Sequence, residues 1–197
     1  MVAETRQRIV DAAVAVHREK GALMAKPAEI AARANVALPT YYKYFPSVGT
    51  LVTACTARGR ELMPPPDAAI VAALPVDPAV RIPVAVQMLF DFYGAREPWM
   101  YAGRTEERFI PELRPVMERL SVLRDAFVRA ALIQTGADRL TVASVTALTD
   151  YWAWRTLRRD LHLTQGETIK GVAEAIGRIT GLTGPDCPRE VGPELQR

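Results

Sequence analysis

Apolar positions recur every three or four residues along almost the whole chain, and no stretch alternates as a half-buried strand would. The first run, from about Thr5 to Lys20, places Ile9, Ala13 and Val16 on one face of a helix, and Gly21 follows as a left-handed terminator. A second helix starts near Pro27, a residue pre-organised for a first turn, with Ile30, Ala31 and Ala34 on its inner face. A third, short helix covers about Pro39 to Tyr44. The fourth begins after Ser47 and runs to about Met63 with Leu51, Ala54, Cys55 and Leu62 inward, until Pro64, Pro65 and Pro66 stop it.

The rest of the chain repeats the pattern with longer elements. A short apolar helix is predicted near Asp67 to Leu74, and Pro75 and Pro78 frame a new start. Ala79 to Arg96 is apolar almost all round (Val80, Ile82, Val84, Val86, Met88, Leu89, Phe90, Phe92, Tyr93), as a central buried helix is. Pro98 predicts an interruption, with Trp99 to Ile110 as a loop or short helix. Further helices are predicted over Pro115 to Gln134, Asp138 to about Leu161, and Thr164 to Ile179. The segment Gly181 to Arg197, rich in Gly, Pro and charge, reads as disordered. The fold class is therefore all-α: a small N-terminal domain over residues 1–50, a helical body over 51–182 and a tail over 183–197.

Composition narrows the function. No run of 18 apolar residues is present and the N-terminus carries no secretory-type apolar segment, which predicts a cytoplasmic protein. Cys55 and Cys187 lie far apart, and His17 and His162 have no ligand spacing, so no metal and no cofactor is expected. There is no phosphate-binding glycine loop and no nucleophile elbow, which argues against an enzyme. Charge is unevenly spread. Residues 1–62 hold nine Lys and Arg against five Asp and Glu, a net +4, while residues 63–197 come to −1. A basic small domain joined to a near-neutral larger one suits a nucleic-acid reader with a separate sensing or assembly body.

Residues Ala28 to Leu51, AEIAARANVALPTYYKYFPSVGTL, carry the most specific signal. They read as helix, four-residue turn and second short helix, the arrangement in which the second helix enters the major groove of DNA. The stretch resembles the start of the TetR family of bacterial transcriptional regulators. Ile30, Ala31 and Ala34 match the family's inner positions, Val36 its apolar turn residue, Thr40, Tyr42, Tyr44 and Phe45 its recognition helix, and Leu51 its next helix. The resemblance is specific over about residues 5–55 and one of layout beyond. It departs at three positions. Asn35 stands for the turn glycine, Ala37 for the serine that caps the third helix, and Val48 for a lysine that reaches the DNA backbone.

The candidate DNA-binding residues are Leu38, Pro39, Thr40, Tyr41, Tyr42, Lys43 and Tyr44. Hydroxyls of Thr40 and Tyr42 and the charge of Lys43 are assigned to phosphates; Leu38, Pro39 and Tyr41 sit where base edges or thymine methyls could be touched. None of them is an Arg, Asn or Gln able to make a bidentate base contact, so readout is expected to be apolar, water-mediated or based on DNA shape.

In the family the body encloses an inducer, which implies a mostly apolar pocket with a few oriented polar groups. Gln87, Met88, Asp91, Phe92, Tyr93, Trp99, Tyr101, Phe109 and Trp152 are the candidate lining. Val145, Leu148 and Trp152 form one stripe, and Ile169, Val172, Ala173 and Ile176 another; two such helices from each of two chains would make a four-helix homodimer interface, as TetR-like proteins do. Both stripes could instead cover the chain's own core. The reading is a DNA-binding repressor released from a palindromic operator in double-stranded DNA by a small apolar effector. The rivals are a helical ligand-binding or adaptor protein with impaired DNA binding, and an enzyme built in the body.

Overall fold

The computed structural model describes residues 2–75 and 77–182, so residues 183–197 of the tail predicted to be disordered lie outside the described residues. All regular structure there is helical: α1 (Val2–Lys20), α2 (Pro27–Arg33), α3 (Leu38–Tyr44), α4 (Val48–Leu62), α5 (Ala68–Ala72), α6 (Pro78–Glu106), α7 (Arg114–Ala131), α8 (Arg139–Leu148), α9 (Tyr151–Arg155) and α10 (Gln165–Ile179). A 3-10 turn spans Pro111–Leu113 and a π-helical segment Thr156–Asp160.

Local chemistry explains most boundaries. Gly21 ends α1 at φ +82°, a conformation that costs a residue with a Cβ. Ser47 caps α4 by accepting from the Thr50 amide, while the Thr50 hydroxyl accepts in return from the Ser47 amide. Thr164 and Glu167 make the same reciprocal box at the start of α10.

Three sequence expectations are corrected. Pro98 does not interrupt the central helix, which continues to Glu106. A mid-helix proline costs about 3 kcal/mol, and the residues beyond it are held by packing: Met100 and Glu106 are buried, and Trp99 lies against the core formed by α1 to α4. The predicted single helix from Asp138 to Leu161 is broken at Thr149. The Thr149 hydroxyl donates back to the Val145 carbonyl, and the Asp150 carboxylate accepts from the Trp152 amide to cap a new helix. In α4, Leu62 is exposed and Val52 is buried in its place, in a small cluster with Ala22, Ile110 and Leu113.

The chain forms two compact units, which do not coincide with the division at residue 50: residues 2–67 with 91–125, and residues 68–90 with 126–182. Both α6 and α7 contribute to each unit. The core of the first is the α1 stripe Ile9, Ala13 and Val16, against which Ile30 and Ala31 of α2, Tyr41 of α3, Phe45, and Leu51 and Cys55 of α4 are packed. The second is built around Leu89, Phe90, Phe127, Val145, Tyr151, Trp154 and Ile176. In it the buried Arg81 donates to the carbonyls of Ala72, Leu74 and Pro75, groups left without partners where α5 ends.

His17 is buried on α1, and burial pushes its imidazole down from 6.5 to about 4. Between those values the unfolded chain takes up a proton that the folded chain refuses. Stability is therefore full above pH 6.5 and falls as pH drops toward about 4, by about 3 kcal/mol in all. Denaturant melts at pH 7 and pH 5 should show the loss, and His17→Gln should flatten it. An unchanged pH slope in that variant would assign the effect to carboxylates.

Candidate nucleic-acid interface

The two helices α2 and α3 are joined by the turn Ala34–Ala37. Asn35 takes the left-handed conformation there at φ +52°, as asparagine tolerates, and the Val36 amide returns to the Ala31 carbonyl at 3.0 Å. Ala37 occupies the N-cap of α3 and supplies no side-chain bond, so α3 begins on proline geometry alone.

Two aromatic residues set the rotation of α3. Tyr41 and Phe45 are each 2% exposed, one turn apart, with ring centroids at 6.3 Å. Tyr42 packs edge-on against Tyr41 at 5.3 Å, and the Arg6 guanidinium lies over the Phe45 ring at 5.3 Å. With that face inward, Leu38, Pro39, Tyr42 and Lys43 are exposed as a contiguous strip, and Thr40 and Tyr44 are half-buried at its edges. Tyr41 is thus a correction to the candidate list: it is a core residue, and its ring cannot reach a base edge while the domain is folded. The other six candidates share one surface.

Electrostatics refine the positive charge of this part of the chain. Lys20 pairs with Glu29 at 2.8 Å, Arg33 grips Glu19 through both guanidinium ends at 2.6 and 3.1 Å, and Arg58 pairs with Asp11 at 2.9 Å. The Arg33 guanidinium holds the Glu19 carboxyl below its usual range. Those cations are committed within the chain. Lys43 on α3 and Lys26 at the start of α2 are exposed, and neither has an ion pair among the described residues. At the first position of α4, Val48 is exposed and offers no charge.

Comparison with known proteins bears on the same segment. Residues 9–55 match the family described as bacterial regulatory proteins, tetR family. The match covers the helix-turn-helix segment. The proteins of that family are bacterial regulators. The whole fold is similar to that of the multidrug binding protein EbrR in its complex with proflavin, at 25% identity and a TM-score of 0.60, over 89% of this chain and 99% of that one. It is also similar to a TetR-like transcriptional regulator from Rhodococcus sp. RHA1, at 21% identity and a TM-score of 0.60, over 91% and 96% of the two chains. The regulator FadR from Bacillus subtilis, in complex with stearoyl-CoA, is similar at 16% identity and a TM-score of 0.58, over 86% and 96%. Comparison with curated proteins finds no match.

The other candidates are placed as follows. Gln87 and Asp91 are exposed and Met88 is half-buried. Phe92 and Tyr93 are buried in the first unit, with the Arg96 guanidinium over Phe92 at 4.7 Å. Trp99 packs on the helix-turn-helix core with the Arg18 guanidinium 5.5 Å from its ring. Tyr101, Phe109 and Trp152 are exposed. Inside the second unit a cavity of about 10 Å³ lies among Ile82, Val86, Leu89, Phe127, Val145 and Ile176, room for one water at most. Of the interface candidates, Val145, Val172 and Ile176 are corrected to core residues of their own unit. Leu148, Ile169 and Ala173 are half-exposed.

Sequence reasoning missed two carboxylates. Glu106, buried at the end of α6, accepts from the amides of Ala22 and Leu23 at 2.9 and 3.3 Å, in the loop between α1 and α2. A Cβ on Gly21 would come within 2.1 Å of its Oε1. Glu112, on the 3-10 turn, occupies the space beside Gly49 near the start of α4, 2.0 Å from where a Cβ would stand. No local signal marks these contacts, because the partners are far apart in sequence.

Two predictions follow from this geometry. Lys43→Ala should weaken binding to all duplexes alike and reduce the slope of log affinity against log salt by about one charge; a changed sequence preference with an unchanged slope would make Lys43 a base reader. Gly21→Ala should destabilise by at least ~1–2 kcal/mol from its left-handed backbone, and by more where it displaces Glu106. Gly136 also has positive φ, but open space around it, so Gly136→Ala is the control. Equal losses in thermal melts would show that the Glu106 contact contributes nothing.

Proposed function

We propose that this chain is a homodimeric repressor that binds a palindromic operator through α3 and is released by a small, largely apolar ligand held in its body. The observation that carries the proposal is the strip Leu38, Pro39, Tyr42 and Lys43, turned outward by the burial of Tyr41 and Phe45. Residues 1–50 are the reading head, and 51–182 the sensing and dimer-forming body. Trp152, Leu148, Ile169 and Ala173 keep apolar surface exposed, which supports a four-helix contact with a second copy. EbrR, the similar protein crystallised with proflavin, supports a ligand with an aromatic body.

Release requires that the ligand prefer the conformation that cannot span two half-sites, because only a difference in affinity moves an equilibrium. The segment that transmits it is α6, which runs from the second unit into the first and ends at the Glu106 contact with the α1–α2 loop. By linkage, operator must weaken ligand binding by the factor by which ligand weakens operator binding. Sedimentation should show a dimer at micromolar concentration. A thermal-shift screen of apolar compounds, followed by calorimetry with and without operator, tests the switch. Equal ligand affinity in both titrations would rule out induction, and a ligand-binding protein that shifts no duplex in a gel would favour the adaptor reading.

A further inference from the structure

The first unit contains a polar groove of about 420 Å³ that the reading above does not use, between the end of α6 and the first half of α7. Arg104, Glu107 and Arg108 line one side, and Arg114, Met117, Glu118 and Ser121 the other. Spacings of three and four residues place each set on one side of its helical path. Gly103 lets the helices approach closely: a Cβ there would stand 2.6 Å from the Met117 methyl, and the buried Met117 forms the floor.

The arginines are not committed elsewhere as those of the helix-turn-helix are. Among the described residues, no ion pair joins Arg104, Arg108 or Arg114 to an acid. Arg104 donates from one terminal nitrogen to the Ser121 hydroxyl at 3.3 Å, and Ser121 in turn donates to the Met117 carbonyl at 3.2 Å. Its Nε is buried and has no partner among the described residues. Arg108 lies over the Phe109 ring at 4.5 Å. A buried guanidinium N–H without an acceptor is costly, and a guanidinium fork is shaped for the paired oxygens of a carboxylate or phosphate.

We propose that this groove binds a small, multiply charged oxyanion, a phosphate monoester or a di- or tricarboxylate, with Arg104 as the central donor and Arg108 and Arg114 closing over it. Glu107 and Glu118 share the lining, so a bound anion must be small or carry hydroxyl groups that those carboxylates accept from. Such a site is separate from the apolar ligand of the body and does not depend on it.

The test is calorimetry of the full chain with inorganic phosphate and with citrate, at constant ionic strength set by chloride. Saturable binding of either is expected, and which one binds identifies the source of the charge. Arg104→Gln should weaken it at least tenfold, and so should the exposed-site variant Arg114→Gln, which leaves the buried contacts intact. Arg119→Gln, on α7 but outside the groove, should leave it unchanged. Absence of saturable binding for both anions would overturn the proposal, as would equal affinity in the wild type and both groove variants. A lower salt slope for duplex binding in Arg104→Gln and Arg114→Gln, without anion binding in the wild type, would reassign the groove to the DNA backbone and also overturn it.

Discussion

Tyr41 on α3 and Phe45 just past its end lie one turn apart, and both are buried in the core shared by α1, α2 and α4, which fixes the rotation of the short helix. Seven residues are too few to be stable alone, and this packing is what makes α3 a helix. The same packing decides what faces outward. A rotation of one residue would bury Tyr42 and expose Tyr41, exchanging a surface hydroxyl for a core one. The Arg6 guanidinium over Phe45 ties the start of α1 to the same point, so the beginning of the chain also depends on this pair.

The surface that results is modest in charge. Three of the cations in the basic part of the chain are held by Glu29, Glu19 and Asp11, and the exposed strip carries one lysine among apolar and hydroxyl-bearing groups. Exposed ion pairs contribute little to stability, but they decide which cations remain for phosphates. On the proposed reading, such a surface would position itself with few charges and draw specificity from apolar contact and from the shape of the duplex.

Much of this was legible from local chemistry. Pro27, Ser47 and Thr164 mark helix starts through backbone geometry and capping, and Gly21 and Asn35 mark turns through positive φ. What was not legible depended on partners distant in sequence. Pro98 reads as a helix breaker because its cost is local, while the contacts of Trp99, Met100 and Glu106 that offset it are not. The orientation of Tyr41 was ambiguous for the same reason, since consecutive tyrosines leave open which one faces the core. The break at Thr149 could have been found: a threonine bonding back to position 145, followed by an aspartate cap, is a local signal that the helical period of the segment obscured.

The central claim is that the strip displayed by α3 reads a two-fold symmetric duplex. Enrichment from a random pool of double-stranded DNA, carried out in parallel with the wild type and with Tyr42→Ala, tests it most directly. The account predicts that the wild type selects a palindrome whose half-sites are about one helical turn apart, roughly 34 Å, or a multiple of it, and that the variant selects it weakly or not at all. Recovery of no common sequence by the wild type, or of the same sequence with equal yield by the variant, would contradict it.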